Sequence, residues 1–320
     1  MLTQRIEETA ALVAASLREP ALAAVSRSLG RLGLTTECDV LAWRITTLNG
    51  LQKRVCAIRA ELQQQDPRMP AGALERVLIL RRALEGLRGL ASLPVSDDVK
   101  RLFCEEFQYV ARPSRPTGLD AAKGSFVALC QLATFRRFPA GQYHWDVSGI
   151  SRSWLLKVEP RRRLTLLYWI AAKFRGFRPA FFSHLNANRK NRWLLTEREA
   201  NRSYYRMAQS MALQPGVKGL VTASWLHSPD TLAASPHLAW MNRTFLENGG
   251  LVAVMGPADP DCGVLTRSPE RRKLYEAGAF KPTTGLAIWP RDAMLAWAER
   301  HPELGDTEEP IDVDVACHAR

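Results

Sequence analysis

The chain has 320 residues, 46% of them apolar and 24% charged, with a formal net charge of +12. That composition excludes a disordered, fibrous or low-complexity protein, and the length allows one large or two modest domains around a full core. No apolar run reaches the roughly 18–20 residues that cross a bilayer.

The opening stretch, MLTQRIEETAALVAASL, carries Glu7 and Glu8 where a secretory leader has an unbroken apolar centre. Cys38, Cys56, Cys104, Cys130, Cys262 and Cys317 are scattered, with neither a CxxC nor a metal-ligand spacing. They read as buried thiols of a reducing compartment, so the expected location is cytoplasmic.

Residues 1 to 111 predict helices only, as a bundle or as a cap on a later sheet. Thr36 and Glu37 can open a helix in which Leu41, Leu48, Val55 and Leu62 recur every seven residues, with Leu51 and Ile58 between them. Asn49-Gly50 interrupts that stripe or marks a turn between two shorter helices. A second helix follows Pro70, with Leu74, Val77, Leu78, Leu84 and Leu87 on one face. A third starts at Ser96, where Asp97 and Asp98 suit a helix N-terminus. The Pro- and Gly-containing run Arg112-Pro113-Ser114-Arg115-Pro116-Thr117-Gly118 predicts a linker over 112–123. SFVALCQLATFRRF and QYHWDVSG flank Pro139-Ala140-Gly141 and read as two strands joined by a short turn.

The positive charge is concentrated between Ser151 and Met207, where only Glu159, Glu197 and Glu199 oppose the basic residues. The apolar run Leu164 to Ala172, with Tyr168 and Trp169, is bracketed by Arg161, Arg162 and Arg163 and by Lys173, Arg175 and Arg178. One reading of residues 157–178 is an interfacial helix on an anionic membrane surface, which would make the protein peripheral to the membrane. The other is a buried helix whose basic ends reach solvent. Downstream, the run from His184 to Arg192 is rich in amide and guanidinium donors. Asn186, Arg189 and Arg192 suit an anionic part of an acceptor, against the alternative of a solvated basic loop. Thr196 and Glu199 form a capping box for a helix to about Leu213. Arg198, Arg202 and Arg206 make a basic stripe on it, but no nucleic-acid motif accompanies them, so nucleic acid is not the favoured partner. The stretch 303–320 reads as an acidic tail.

His144-Trp145-Asp146 has the spacing of the His-x-Asp pair of non-haem iron 2-oxoglutarate oxygenases, because alternate strand residues face one side. A third ligand would come from His184, His227 or His237. The alternative is a His and an Asp bonded to each other or to a loop. A GxSxG nucleophile elbow, a Walker A loop and a GxGxxG turn are all missing from the sequence.

From Val217 to Pro290 three apolar runs of strand length (VKGLVTASWL, LVAVMGP, TTGLAIWP) alternate with two segments of helical period. This order resembles the C-terminal half of the GNAT acyltransferases, and Leu274-Tyr275-Glu276-Ala277-Gly278-Ala279-Phe280 is similar to that family's LYxxxGF. The loop from Asp230 to Pro236 departs from the family's glycine-rich pyrophosphate loop, having neither glycine nor a basic residue. The resemblance implies Tyr275 as general acid near the CoA sulfur. It also places an acyl-CoA co-substrate against Trp225, Leu226, Thr231, Ala233, Ala234 and Ser235. His227 is the candidate base, because its ordinary pKa lies near neutrality. The resemblance further predicts that the strands at Val217–Leu226 and Leu251–Met255 splay beside a pocket reached by Tyr275.

The expected fold is α+β or α/β, a helical N-terminal region followed by a mixed-sheet α/β domain (124–302) of GNAT-like type. The expected function is acyl transfer from acyl-CoA to an amine or hydroxyl of a small or lipid-like acceptor, with no metal. The alternatives are an iron oxygenase using His144 and Asp146 and a non-catalytic protein binding an anionic membrane or ligand.

Overall fold

The computed structural model describes residues 1–31, 48–112, 124–186, 195–259, 263–266 and 268–305. Helices come first: α1 (Leu2–Leu17), α2 (Pro20–Arg31), α3 (Leu48–Gln65), α4 (Ala73–Leu87), α5 (Asp97–Ala111) and α6 (Gly124–Ala133). Helix α3 runs through Asn49-Gly50 without a turn. The heptad positions upstream of it, and the proline-rich linker, lie outside the described residues. Helix α4 is buried on nearly every side, with Leu74, Val77, Ile79, Leu80 and Leu87 at 1% exposure or less, and the others pack around it. Its buried carboxylate, Glu75, pairs with the Arg59 guanidinium of α3. Arg76 donates from Nε to the carbonyl of Val110, 3.1 Å away, and from Nη2 to Ser16 Oγ at 3.0 Å, tying α1, α4 and α5 together.

Strands β1 (Phe138–Pro139), β2 (Tyr143–Ser148), β3 (Ala180–Leu185), β4 (Gly219–Ser224), β5 (Leu251–Pro257) and β6 (Thr283–Pro290) form one six-stranded sheet in the spatial order β1-β2-β3-β4-β6-β5. All neighbours run antiparallel except β3 and β4, which are parallel. The fold is therefore a mixed-sheet α/β structure carrying a helical N-terminal region.

The remaining helices are α7 (Ser153–Lys157), α8 (Pro160–Ala172), α9 (Glu197–Ala212), α10 (Pro229–Ala234), α11 (Trp240–Glu247), α12 (Gly263–Thr266), α13 (Pro269–Glu276) and α14 (Arg291–Glu299). One sheet face, bearing Tyr143, Trp145, Phe181, Leu220, Ala287 and Trp289, packs on α9, α11, α14 and the N-terminal helices in a single continuous core. The other face, bearing Ala180, Val221, Leu286 and Ile288, is covered by Leu166 and Ile170 of α8 together with Ile150, Val158 and Phe174.

Two sequence expectations are corrected here. The stretch predicted as the first arm of a hairpin is mostly helix α6, and only Phe138–Pro139 pairs with β2. Phe126, Val127, Leu129, Cys130, Leu132 and Ala133 are buried, with Ala128 and Gln131 half-buried between them, and a short, mostly apolar run does not by itself separate a strand from a buried helix. The splay expected between Val217–Leu226 and Leu251–Met255 is also displaced. Strand β6 lies between those two strands and pairs with both.

Candidate active site

The one parallel pair is also the shortest ladder for its strand lengths. Strand β3 meets β4 only at Phe181↔Leu220 and Phe182↔Val221, whereas β2–β3 and β4–β6 pair along six positions each. Beyond Phe182 and Val221 the inner edges of the two strands carry no ladder bonds to each other. A cavity of about 290 Å³ occupies the gap. Ser183, His184 and Leu185 line it from β3, and Thr222, Ala223 and Ser224 from β4. The turn Trp225–His227 and Met241 of α11 close one end, and Arg137 and Tyr143 stand on the β2 side.

His184 is the focal group. Its Nε2 lies 2.6 Å from Asp146 Oδ2 on the neighbouring strand. Burial pushes the Asp146 carboxyl up, but hydrogen bonds from His184 and Ser148 and the charges of His184 and Arg137 outweigh it, holding the group below the usual carboxylate range. An ionised Asp146 accepts the Nε2 proton, which leaves Nδ1 of His184 as the basic atom. The Phe182 ring stands edge-on to the imidazole at 4.9 Å and limits its rotation. The neighbouring Ser183 hydroxyl is buried and has no hydrogen-bond partner among the described residues.

His227 lies on the same cavity in a different state. It is buried, Nδ1 is 2.8 Å from Asn242 Oδ1, and burial drives its pKa from the usual 6.5 to about 4. A Cβ on Gly285 would sit 2.5 Å from the His227 carbonyl carbon, so only glycine lets this turn close on β6. Because the folded pKa is depressed, the unfolded chain binds a proton that the native chain refuses between pH 6.5 and pH 4. Stability is therefore unaffected by this group above the upper limit and falls as pH drops through the window. The expected loss at pH 5 is about 2 kcal/mol, read as a lower urea midpoint than at pH 7. His227→Gln should flatten that slope, and an unchanged slope would remove His227 as its source.

Of the other expected site residues, Leu226 lines the cavity and the rest are dispersed. Trp225 packs against Leu265 and Phe280, with the Arg271 guanidinium 5.6 Å above its ring. The Leu226 amide donates to Ser224 Oγ at 3.2 Å and the Trp225 carbonyl accepts from the Ser228 amide at 3.0 Å, so both backbone groups are engaged locally. The stretch expected as a phosphate loop is helix α10 followed by a 3-10 turn. In it Thr231 is buried, Ala233 and Ala234 are exposed, and Ser235 Oγ accepts from Arg271 at 2.8 Å. None of these four lines the cavity. Asn186 is buried and donates to Glu106 and to the Gly141 carbonyl. Arg189 and Arg192 lie outside the described residues. Tyr275 is partly exposed on α13, a helix with no buried residue, and is not among the lining groups.

His144 and Asp146 turn to different partners. His144 Nε2 is 3.7 Å from Glu106 Oε1, while Asp146 holds His184. Among the described residues no three His, Cys, Asp or Glu side chains are grouped to hold a metal, so the iron reading lacks a donor set. Two of the three arginines of the α9 stripe turn inward: Arg202 bonds Glu199 and Arg206 donates to the Ala140 carbonyl at 2.9 Å, while Arg198 is exposed. The Thr196 cap forms as expected, its hydroxyl accepting from the Glu199 amide.

No known protein family's profile matches the sequence, and no curated protein matches it. Solved structures that match include an acyltransferase in complex with decanoyl-CoA, at 14% identity over 68% of this chain with a TM-score of 0.45. Another is an acyltransferase in complex with decanoyl-CoA and teicoplanin, at 12% identity over 71% of this chain and 69% of that one, with a TM-score of 0.43. The chain spans 65% of the length of the first.

Proposed function

We propose that the chain transfers an acyl group from acyl-CoA to an amine or hydroxyl of a small or lipid-like acceptor, on a GNAT-like sheet, in the cleft between β3 and β4. The observation that carries this reading is the opened parallel pair with a carboxylate-held histidine on its wall. Two strand edges without ladder partners offer backbone amides and carbonyls to an extended ligand that has amides of its own, as the pantetheine arm does. The element order from β4 to β6, with Leu274-Tyr275-Glu276 ending α13 and Ala277-Gly278 following it, supports the same family reading.

In this reading the acceptor lone pair attacks the thioester carbonyl carbon and His184 Nδ1 takes the proton released. Asp146 keeps the imidazole in the required tautomer and balances its charge once protonated. The intermediate then expels the CoA thiolate, which takes a proton from Tyr275 or from solvent. His227, with a pKa of about 4, is a poor base at neutral pH and serves as a neutral wall group.

The experiment is thermal unfolding with acetyl-CoA and decanoyl-CoA. A ligand that binds the native state raises the midpoint, by the equivalent of about 2.7 kcal/mol at a hundredfold excess over Kd. A midpoint that neither acyl-CoA moves would sink the proposal.

A further inference from the structure

Helix α8 is apolar on two opposite sides. Leu166 and Ile170 are 2% and 0% exposed beneath the sheet, while Leu164, Leu167 and Tyr168 are 78%, 42% and 71% exposed. At about 100° per residue, Leu164, Leu167, Tyr168 and Ala171 fall on one arc facing away from Leu166 and Ile170. Leu156 of the preceding helix α7 is likewise 71% exposed. A helix that only covers a sheet needs one apolar side, so the second is unexplained by the fold.

The rim of the patch is strongly basic. Residues 152–178 contain Arg152, Lys157, Arg161, Arg162, Arg163, Lys173, Arg175 and Arg178 against Glu159 alone. Arg162 pairs with Glu159 and Arg175 with Asp292. Among the described residues, no carboxylate pairs with Lys157, Arg161, Lys173 or Arg178. Among the described residues no helix is long and apolar enough to cross a membrane, but an outer apolar stripe inside a cationic rim is what an interfacial helix requires.

We propose that α7 and α8 dock on an anionic phospholipid bilayer, with Leu156, Leu164, Leu167 and Tyr168 in the acyl boundary and the basic rim on the headgroups. A second copy of this chain fits the patch less well, since two cationic rims would meet. The inner side of α7 also approaches the cavity wall. Trp154 of α7 lies 5.6 Å from the Phe182 ring, and that ring stands against His184. Docking goes beyond the acyl-transfer reading and does not depend on it, because its readout is lipid binding alone.

The test is flotation of the full chain with vesicles of phosphatidylcholine, with and without phosphatidylglycerol. Binding is expected to the anionic vesicles and should fall steeply with salt. Leu164→Ser with Leu167→Ser should lower the partition coefficient roughly tenfold or more, and Arg161→Gln with Lys173→Gln should lower it on the order of tenfold. All four positions are outside the core, so thermal midpoints should match the parent. Absence of binding to anionic vesicles overturns the proposal, as does binding that both variants retain. A concentration-dependent dimer abolished by the leucine variant would assign the stripe to a second copy and also overturn it.

Discussion

Replacing His184 by alanine is expected to lower the acyl-transfer rate by roughly 10²–10⁴-fold while acyl-CoA affinity changes little. The imidazole lines the cavity without filling it, and its hydrogen bond to Asp146 is made by the nitrogen that does not take the substrate proton. Its loss therefore removes a proton acceptor and leaves the strand edges intact. Asp146→Asn should also fall, because an amide can donate to Nε2 and so place the proton on Nδ1. The measurement is kcat beside the acyl-CoA dissociation constant. If His184→Ala retains turnover and His227→Gln loses it, the base is His227. Tyr275→Phe is expected to stay within about twofold, since proton donation by solvent suffices at an exposed leaving group. A tenfold fall would instead place Tyr275 in the mechanism.

Trp289→Ala should cost about 3–5 kcal/mol of stability and lower the melting midpoint by on the order of 10 °C. Trp289 is fully buried on β6, and its ring meets Phe245 at 5.2 Å, Tyr204 at 5.9 Å and Trp297 at 5.0 Å. Its indole Nε1–H donates to the Asn248 carbonyl at 2.8 Å. Truncation leaves a void where three helices meet the sheet and strips that carbonyl of its donor. Calorimetry checks it. A loss below about 1 kcal/mol would mean that the surrounding rings collapse into the space.

The C-terminal strands were legible because each is a short apolar run bounded by Gly, Pro or polar residues. LVAVMGP and TTGLAIWP coincide with β5 and β6. Their order in space was not legible, since pairing partners are set by tertiary packing rather than by chain order. That is why the opening was expected beside β5 and is found beside β3. The sequence presents His184 only as a possible third iron ligand and not as a base, for a related reason. Its partner Asp146 is 38 residues away, and only the β2–β3 register brings them together. The available signal was the end of AFFSHL, where a serine and a histidine interrupt an apolar strand just before a polar loop. For the Leu164–Ala172 segment, the structure buries Leu166 and Ile170 against the sheet and leaves Leu164, Leu167 and Tyr168 exposed on the other side.

The continuous core joining α4, α5 and the sheet has a consequence for how this chain can be divided. Phe103 of α5 packs its ring against Phe135 and Phe138, and Gln214 after α9 donates to the Pro94 carbonyl. A cut between α5 and α6 would therefore leave a large aromatic surface facing water on both fragments. The helical region is not an accessory module that recombination could exchange or discard. Inheritance and engineering alike must treat the cap and the cleft as one unit of selection.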